Sequence, residues 1–234
     1  MDQSHIGYTA WFDPPFNRMP FVKYVSPDSA QVLANVMPAK SVSAENKVPA
    51  GINYPVFYEL NKYISIDADH FSKAVGSAGI SWQVLPDHGR TGSAVTTMPV
   101  TAEVRSPGNQ SPHLEYEVYT YDAGSIKLQL YFSPSLNINN DEGLRYAVSV
   151  DNETPQIVSI NKDDSNTRTW EEWMRNNIIT KTTEHNFTTP GRHIIKYWMV
   201  SPAVVLQKIV GDMGGVRPSY LGPPETRSIN KLSK

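Results

Sequence analysis

From Tyr54 onward the chain alternates apolar and polar residues with a period of two, which restricts this stretch to strands that bury one face. Leu114-Glu-Tyr116-Glu-Val118-Tyr-Thr-Tyr121 and Ile126-Lys-Leu128-Gln-Leu130 are the clearest cases. Between them Asp122-Ala-Gly124-Ser supplies the glycine of a tight turn, so the pair predicts a hairpin. Further strands are predicted over residues 144–150, 156–160, 193–200 and 204–210, with turn residues such as Asp151-Asn152 and Pro190-Gly191 between them. One segment departs from the pattern. Thr169-Trp-Glu-Glu172 has capping-box spacing and predicts a short helix ending near Asn177. Many short strands and one helix predict an all-β chain, an antiparallel β-sandwich.

The first 49 residues read differently. Pro14, Pro15, Pro20, Pro27, Pro38 and Pro49 forbid long helices there, yet Tyr8, Trp11, Phe12, Phe16, Phe21 and Tyr24 are too many aromatics for a free tail. The expectation is an irregular, aromatic-rich docking segment over residues 1–49, a sandwich module over 50–226 and a frayed polar tail over 227–234.

Charge narrows the partners. With 21 Lys and Arg against 23 Asp and Glu, the net charge of −2 gives no pull toward nucleic acid or an anionic membrane. The longest apolar runs, such as residues 203–206, fall far short of the roughly 20 residues that span a bilayer. There is no cysteine, which excludes disulfides, thiolate metal sites and cysteine nucleophiles.

Catalytic chemistry finds no support. Glu115 and Glu117 share one face of a strand and alternate with apolar residues, so they read as its solvated side rather than as a glycosidase pair. The six histidines have no metal-binding spacing, and no nucleophile elbow, phosphate loop or dinucleotide motif occurs. Two features carry more. Asp67-Ala-Asp69 places two carboxylates on one side of an early strand, a candidate calcium site that needs a distant third ligand, for which Asp212 is the candidate. Its bland alternative is a polar strand face. Trp82-Gln-Val-Leu-Pro-Asp87-His88-Gly-Arg90 joins an indole, which stacks on sugar rings, to an imidazole and to a guanidinium that can clamp a uronate. Trp82, His88 and Arg90 are thus the candidate sugar-binding residues, with a core role as the alternative for Trp82.

Several segments together resemble the C-terminal region of glycoside hydrolase family 115 xylan α-glucuronidases. His5-Ile-Gly-Tyr8-Thr-Ala-Trp11-Phe-Asp-Pro-Pro15 resembles the family's H-I-G-Y-T-x-W-x-x-P-P stretch. His88-Gly-Arg-Thr-Gly-Ser-Ala-Val95, Pro112-His-Leu-Glu-Tyr116, Leu144-Arg-Tyr-Ala-Val-Ser149, Pro190-Gly-Arg-His193 and Val204-Val-Leu-Gln-Lys-Ile-Val210 follow in the family's order, and Pro218-Ser-Tyr-Leu-Gly-Pro-Pro-Glu225 is the most specific. The resemblance implies a jelly-roll-like sandwich attached to an enzyme that removes 4-O-methyl-glucuronic acid from xylan, with the catalytic barrel upstream of this chain. It implies the catalytic domains as partners, with a homodimer and plant xylan as further ones, and a periplasmic or secreted setting. This chain alone is then not an enzyme. Tyr8, Trp11, Tyr220 and Leu221 are its expected interface residues.

The module also resembles carbohydrate-binding module families 6 and 35, whose E-A-E strand contributes to a structural calcium site. Asp67-Ala-Asp69 stands at that strand, so the resemblance implies one structural calcium ion held by Asp67, Asp69 and Asp212.

Overall fold

The computed structural model describes residues 55–108, 111–137, 143–162, 166–226 and 228–229. The docking segment expected over residues 1–49, with Tyr8 and Trp11, lies outside the described residues.

Thirteen strands and one helix are described, in the order β1 (Val56–Tyr58), β2 (Tyr63–Asp67), β3 (Lys73–Val75), β4 (Ser81–Leu85), β5 (Ala94–Met98), β6 (His113–Thr120), β7 (Gly124–Phe132), β8 (Arg145–Val150), β9 (Gln156–Ser159), α1 (Thr167–Asn176), β10 (Ile179–Phe187), β11 (Gly191–Met199), β12 (Leu206–Asp212) and β13 (Ser228–Ile229). They form two sheets. One runs β13-β1-β6-β11-β8-β9 with β3 also on β6; the other runs β10-β7-β12-β5-β4 with β2 also on β12. All pairings are antiparallel except β1 with β6. The sandwich expected from the alternation is therefore present.

The inner faces meet in one core. Leu114, Tyr116 and Val118 of β6 share it with Leu128, Leu130 and Phe132 of β7, Tyr146 and Val148 of β8 and Tyr197 of β11. Burying each large side chain contributes about 1.5–3 kcal/mol, so this layer dominates the stability.

The hairpin expected between β6 and β7 does not form. β6 pairs with β11, β1 and β3, whereas β7 pairs with β10 and β12 in the opposite sheet. The turn at Asp122, with Gly124 at φ 140, carries the chain across the core. Both arrangements bury the same apolar face, and the alternation does not distinguish them.

The helix starts one turn earlier than the capping box implied. Asn166 is the N-cap, its side chain accepting from the backbone N–H of Arg168 and Thr169, and Asn177 ends the helix in the left-handed region. Trp173 anchors α1 to the core.

The outer faces are not simply solvated. Glu117 is buried and paired with Arg192, and Glu115 lies 3.4 Å from Lys73 Nζ and 3.2 Å from His113 Nε2. Ala147, Trp198 and Val200 form a separate buried cluster on that face, where Trp198 Nε1 donates to Ser149 Oγ at 3.1 Å. The glutamates are structural ion-pair partners rather than a free polar side.

Candidate functional site

The chain that leaves β12 folds back as a belt across the outer face of the β10-β7-β12-β5-β4 sheet. Asp212 starts it: its Oδ1 accepts the backbone N–H of Gly214, Gly215 and Val216 at 2.8–3.1 Å. Val216 then packs on a small outer cluster of Tyr131, Ile178 and Val210. At Gly222, where φ is +77, a Cβ would come within 2.9 Å of the Tyr131 ring, so glycine is required there for two reasons.

The far end of the belt is sewn to β2. Pro223 O accepts from Ser65 Oγ at 3.0 Å and from Lys208 Nζ at 3.1 Å. Thr226 N–H donates to Ser65 O at 2.9 Å, and Glu225 Oε1 accepts from Asp67 N–H at 3.1 Å. That carboxylate also lies 2.5 Å from His70 Nδ1. Asp67 in turn accepts from Thr91 Oγ1 at 2.7 Å and sits 3.3 Å from the Lys208 ammonium. Lys208 is 2% exposed and directly opposite Asp67 in the ladder.

Of the three aspartates expected to share an ion, only Asp67 belongs to the cluster that converges among the described residues, and Asp69 Oδ1 lies 4.0 Å from His70 Nε2. β2 ends at Asp67, and His70 N–H turns back to Asp67 O, so Asp69 lies in a turn rather than on the same strand face. Asp212 stands four residues along β12 from Lys208, opposite Tyr63, with its carboxylate closing its own turn. The residues that do converge, Asp67, His70 and Glu225, place one ligand atom each within 4.8 Å of one another. They do not fit calcium. That ion takes six to eight oxygens, whereas here the Glu225 carboxylate is at hydrogen-bond distance from an imidazole and the Asp67 carboxylate from an ammonium.

The expected sugar loop is built into the scaffold. The Trp82 indole packs against the core, 5.8 Å from the Tyr197 ring, and its Nε1 donates to Val75 O at 3.0 Å. Arg90 donates to the carbonyl oxygens of Tyr220 and Asn176, and its guanidinium carbon lies 4.4 Å above the Tyr220 ring. It clamps the belt to the end of α1. His88 is exposed beside them. Tyr220 and Leu221 project outward at 65% and 51% exposure.

A second feature had no sequence signal. Asp151, Asn152, Glu153, Asn186, Thr188 and Lys196 line a polar cleft of about 590 Å³ at the β8–β9 and β10–β11 turns. Its two carboxylates are held from behind. Asp151 Oδ2 is 2.7 Å from His193 Nδ1, and Glu153 Oε2 is 2.7 Å from His185 Nδ1. Alternation places both histidines inward, and nothing local announces which turn they meet.

Burial raises the tyrosine hydroxyls of the core. Tyr116 and Tyr197 are held well above the usual phenol range, and Tyr146 is raised as well, in each case chiefly by loss of solvation.

Comparison with known proteins places these features. The family model described as glycosyl hydrolase family 115 C-terminal domain matches residues 56–225. No curated protein matches the chain. Among solved structures, a family GH115 4-O-methyl-α-glucuronidase, BtGH115A, with specificity for decorated arabinogalactans, is similar at 14% identity and a TM-score of 0.48, over 63% of this chain and 17% of that one. The C-terminal CBM6 of LamC from Zobellia galactanivorans is similar at 14% identity and a TM-score of 0.43, over 64% and 98% of the two chains. A family 35 carbohydrate-binding module from Clostridium thermocellum is similar at 17% identity and a TM-score of 0.41, over 63% and 97%. The match thus spans less than a fifth of the α-glucuronidase.

Proposed function

The chain belongs to the glycosyl hydrolase family 115 C-terminal domain family, and from that premise we propose that it is a non-catalytic module that docks onto the catalytic domains of an α-glucuronidase acting on xylan and borders their active site. The observation that carries this reading is the belt. Its Pro223 carbonyl and the side chains of Glu225 and Thr226 are spent inside the module, while Tyr220 and Leu221 are left outside it. Apolar side chains held outward on a fastened segment are suited to an interface. The loop that would serve an autonomous sugar binder is committed elsewhere, with Trp82 against the core and Arg90 on the belt.

A second reading, sugar binding by the module itself, draws support from the cleft at Asp151. Asn152, Asn186, Thr188 and Lys196 offer it amide, hydroxyl and ammonium groups suited to a hydroxylated or anionic sugar.

Two measurements on the full chain separate the readings. Docking predicts co-elution with the catalytic domains of a family 115 α-glucuronidase and unretarded migration in a glucuronoxylan gel. Retardation that disappears in K196A or N186A, without co-elution, would favour the cleft instead.

A further inference from the structure

The resemblance to calcium-stabilised modules meets a lysine where it implies a metal. We infer that the Lys208 ammonium is the structural cation of this module, tying β2, β12 and the belt together in place of calcium. Three observations converge on it. Lys208 is 2% exposed in the interior of β12, a position where a lysine persists only with anionic or carbonyl partners. Those partners come from two separate segments: Asp67 Oδ1 at 3.3 Å at the end of β2, and Pro223 O at 3.1 Å in the belt. Around them the same oxygens meet further protein groups: Asp67 Oδ1 also accepts from Thr91 Oγ1, and Glu225 Oε1 accepts the Asp67 N–H and lies beside the His70 ring.

The chain also passes close to the other oxygen of Asp67. A Cβ at Gly92 would lie 3.1 Å from Asp67 Oδ2, so the absence of a side chain there lets the loop of Thr91 and Gly92 run beside that carboxylate. A monovalent ammonium with fixed tetrahedral donors suits a pair of oxygen partners, whereas calcium needs an oxygen cage that Asp69 and Asp212 do not complete. The lysine therefore does mechanically what the metal does elsewhere: it gives the buried carboxylate its counter-charge and holds the terminal segment against the sheet.

Thermal unfolding of the full chain with added calcium, with chelator and with neither tests this. The expected result is one melting temperature in all three. The variant K208M, which keeps the chain length but removes the charge and leaves Asp67 without its counter-ion, is expected to melt roughly 6–20 °C lower. Added calcium is expected not to restore it. A wild-type melting temperature that rises with calcium and falls with chelator, together with metal retained through dialysis, would overturn the inference. Should K208M fail to fold, the wild-type Lys208 ammonium decides alone by NMR. A slowly exchanging side-chain signal unchanged by calcium upholds the assignment, and a signal that is absent or displaced by calcium refutes it.

Discussion

Glu153 Oε2 lies 2.7 Å from His185 Nδ1, a contact that crosses from the turn after β8 in one sheet to β10 in the other. The same glutamate accepts the Asn186 N–H through Oε1, and Gln156 Nε2 reaches Glu184 O nearby at 2.9 Å. These bonds close the sandwich at an edge where, among the described residues, no strand pairing joins the sheets.

Removing that bridge has a defined cost. His185 is buried and its other nitrogen faces Thr183 Oγ1, so E153A leaves a ring nitrogen inside the protein without its partner. The expected loss is about 1–3 kcal/mol, or roughly 2–12 °C in melting temperature. Calorimetry on E153A measures it, and an unchanged transition would show the sheets to be held by the core alone.

Alkaline pH acts on the core itself. Tyr116 donates to Ala68 O at 2.7 Å and, like Tyr197 and Tyr146, is raised by burial, so each stays neutral in the folded state where an unfolded phenol ionises near pH 10. The folded state then binds more protons than the unfolded one, and stability falls as pH rises. The effect is absent below about pH 9 and steepens above about pH 10, to about 4 kcal/mol per pH unit for three phenols. Tyrosinate absorbance followed with circular dichroism checks the order of events. These tyrosines are expected to ionise only as the sandwich unfolds; ionisation in the intact fold would contradict the burial argument.

The alternation made the sandwich legible because a strand with one buried face announces itself locally. Which sheet a strand joins depends instead on distant partners, and so β6 and β7 read as a hairpin although they face each other across the core. The placement of Asp69 escaped for a similar reason. Asp67-Ala-Asp69 has the spacing of a strand face, but β2 ends at Asp67 and the next residues turn. Gln207-Lys208 interrupts the apolar run of β12, and a charged residue in an inner strand calls for a buried partner.

Arg90 is expected to hold the belt rather than a ligand. Its two forks meet carbonyls of separate segments, Tyr220 and Asn176, a task for a planar guanidinium that an ammonium does not reproduce. R90A is expected to lose about 1–3 kcal/mol and R90K to recover little of it. Hydrogen exchange is the direct readout, with faster exchange confined to residues 214–226 and the end of α1. Weaker glucuronoxylan binding by R90A with unchanged exchange would return Arg90 to a sugar-binding role.

Docking through Tyr220 and Leu221 can be separated from folding because their side chains point outward while the belt is held by other atoms. The Tyr220 carbonyl, not its ring alone, engages Arg90, and the stitches to β2 come from Pro223, Glu225 and Thr226. L221D therefore leaves every belt contact in place and is expected to change stability by no more than about 0.5 kcal/mol, as for surface substitutions generally. Truncation after Val216 is a harsher change, because it also strips Lys208 and Ser65 of their Pro223 acceptor. At an interface the same L221D substitution places a charge where apolar area is buried. Full burial of a leucine contributes about 1.5–3 kcal/mol, so affinity for the catalytic domains is expected to fall at least about tenfold. Titration of the catalytic domains with wild-type and L221D chains of matched melting temperature reads this directly. Equal affinities would remove Leu221 from the interface and, with an equally silent Y220A, would leave the belt as a structural closure of the sandwich and nothing more.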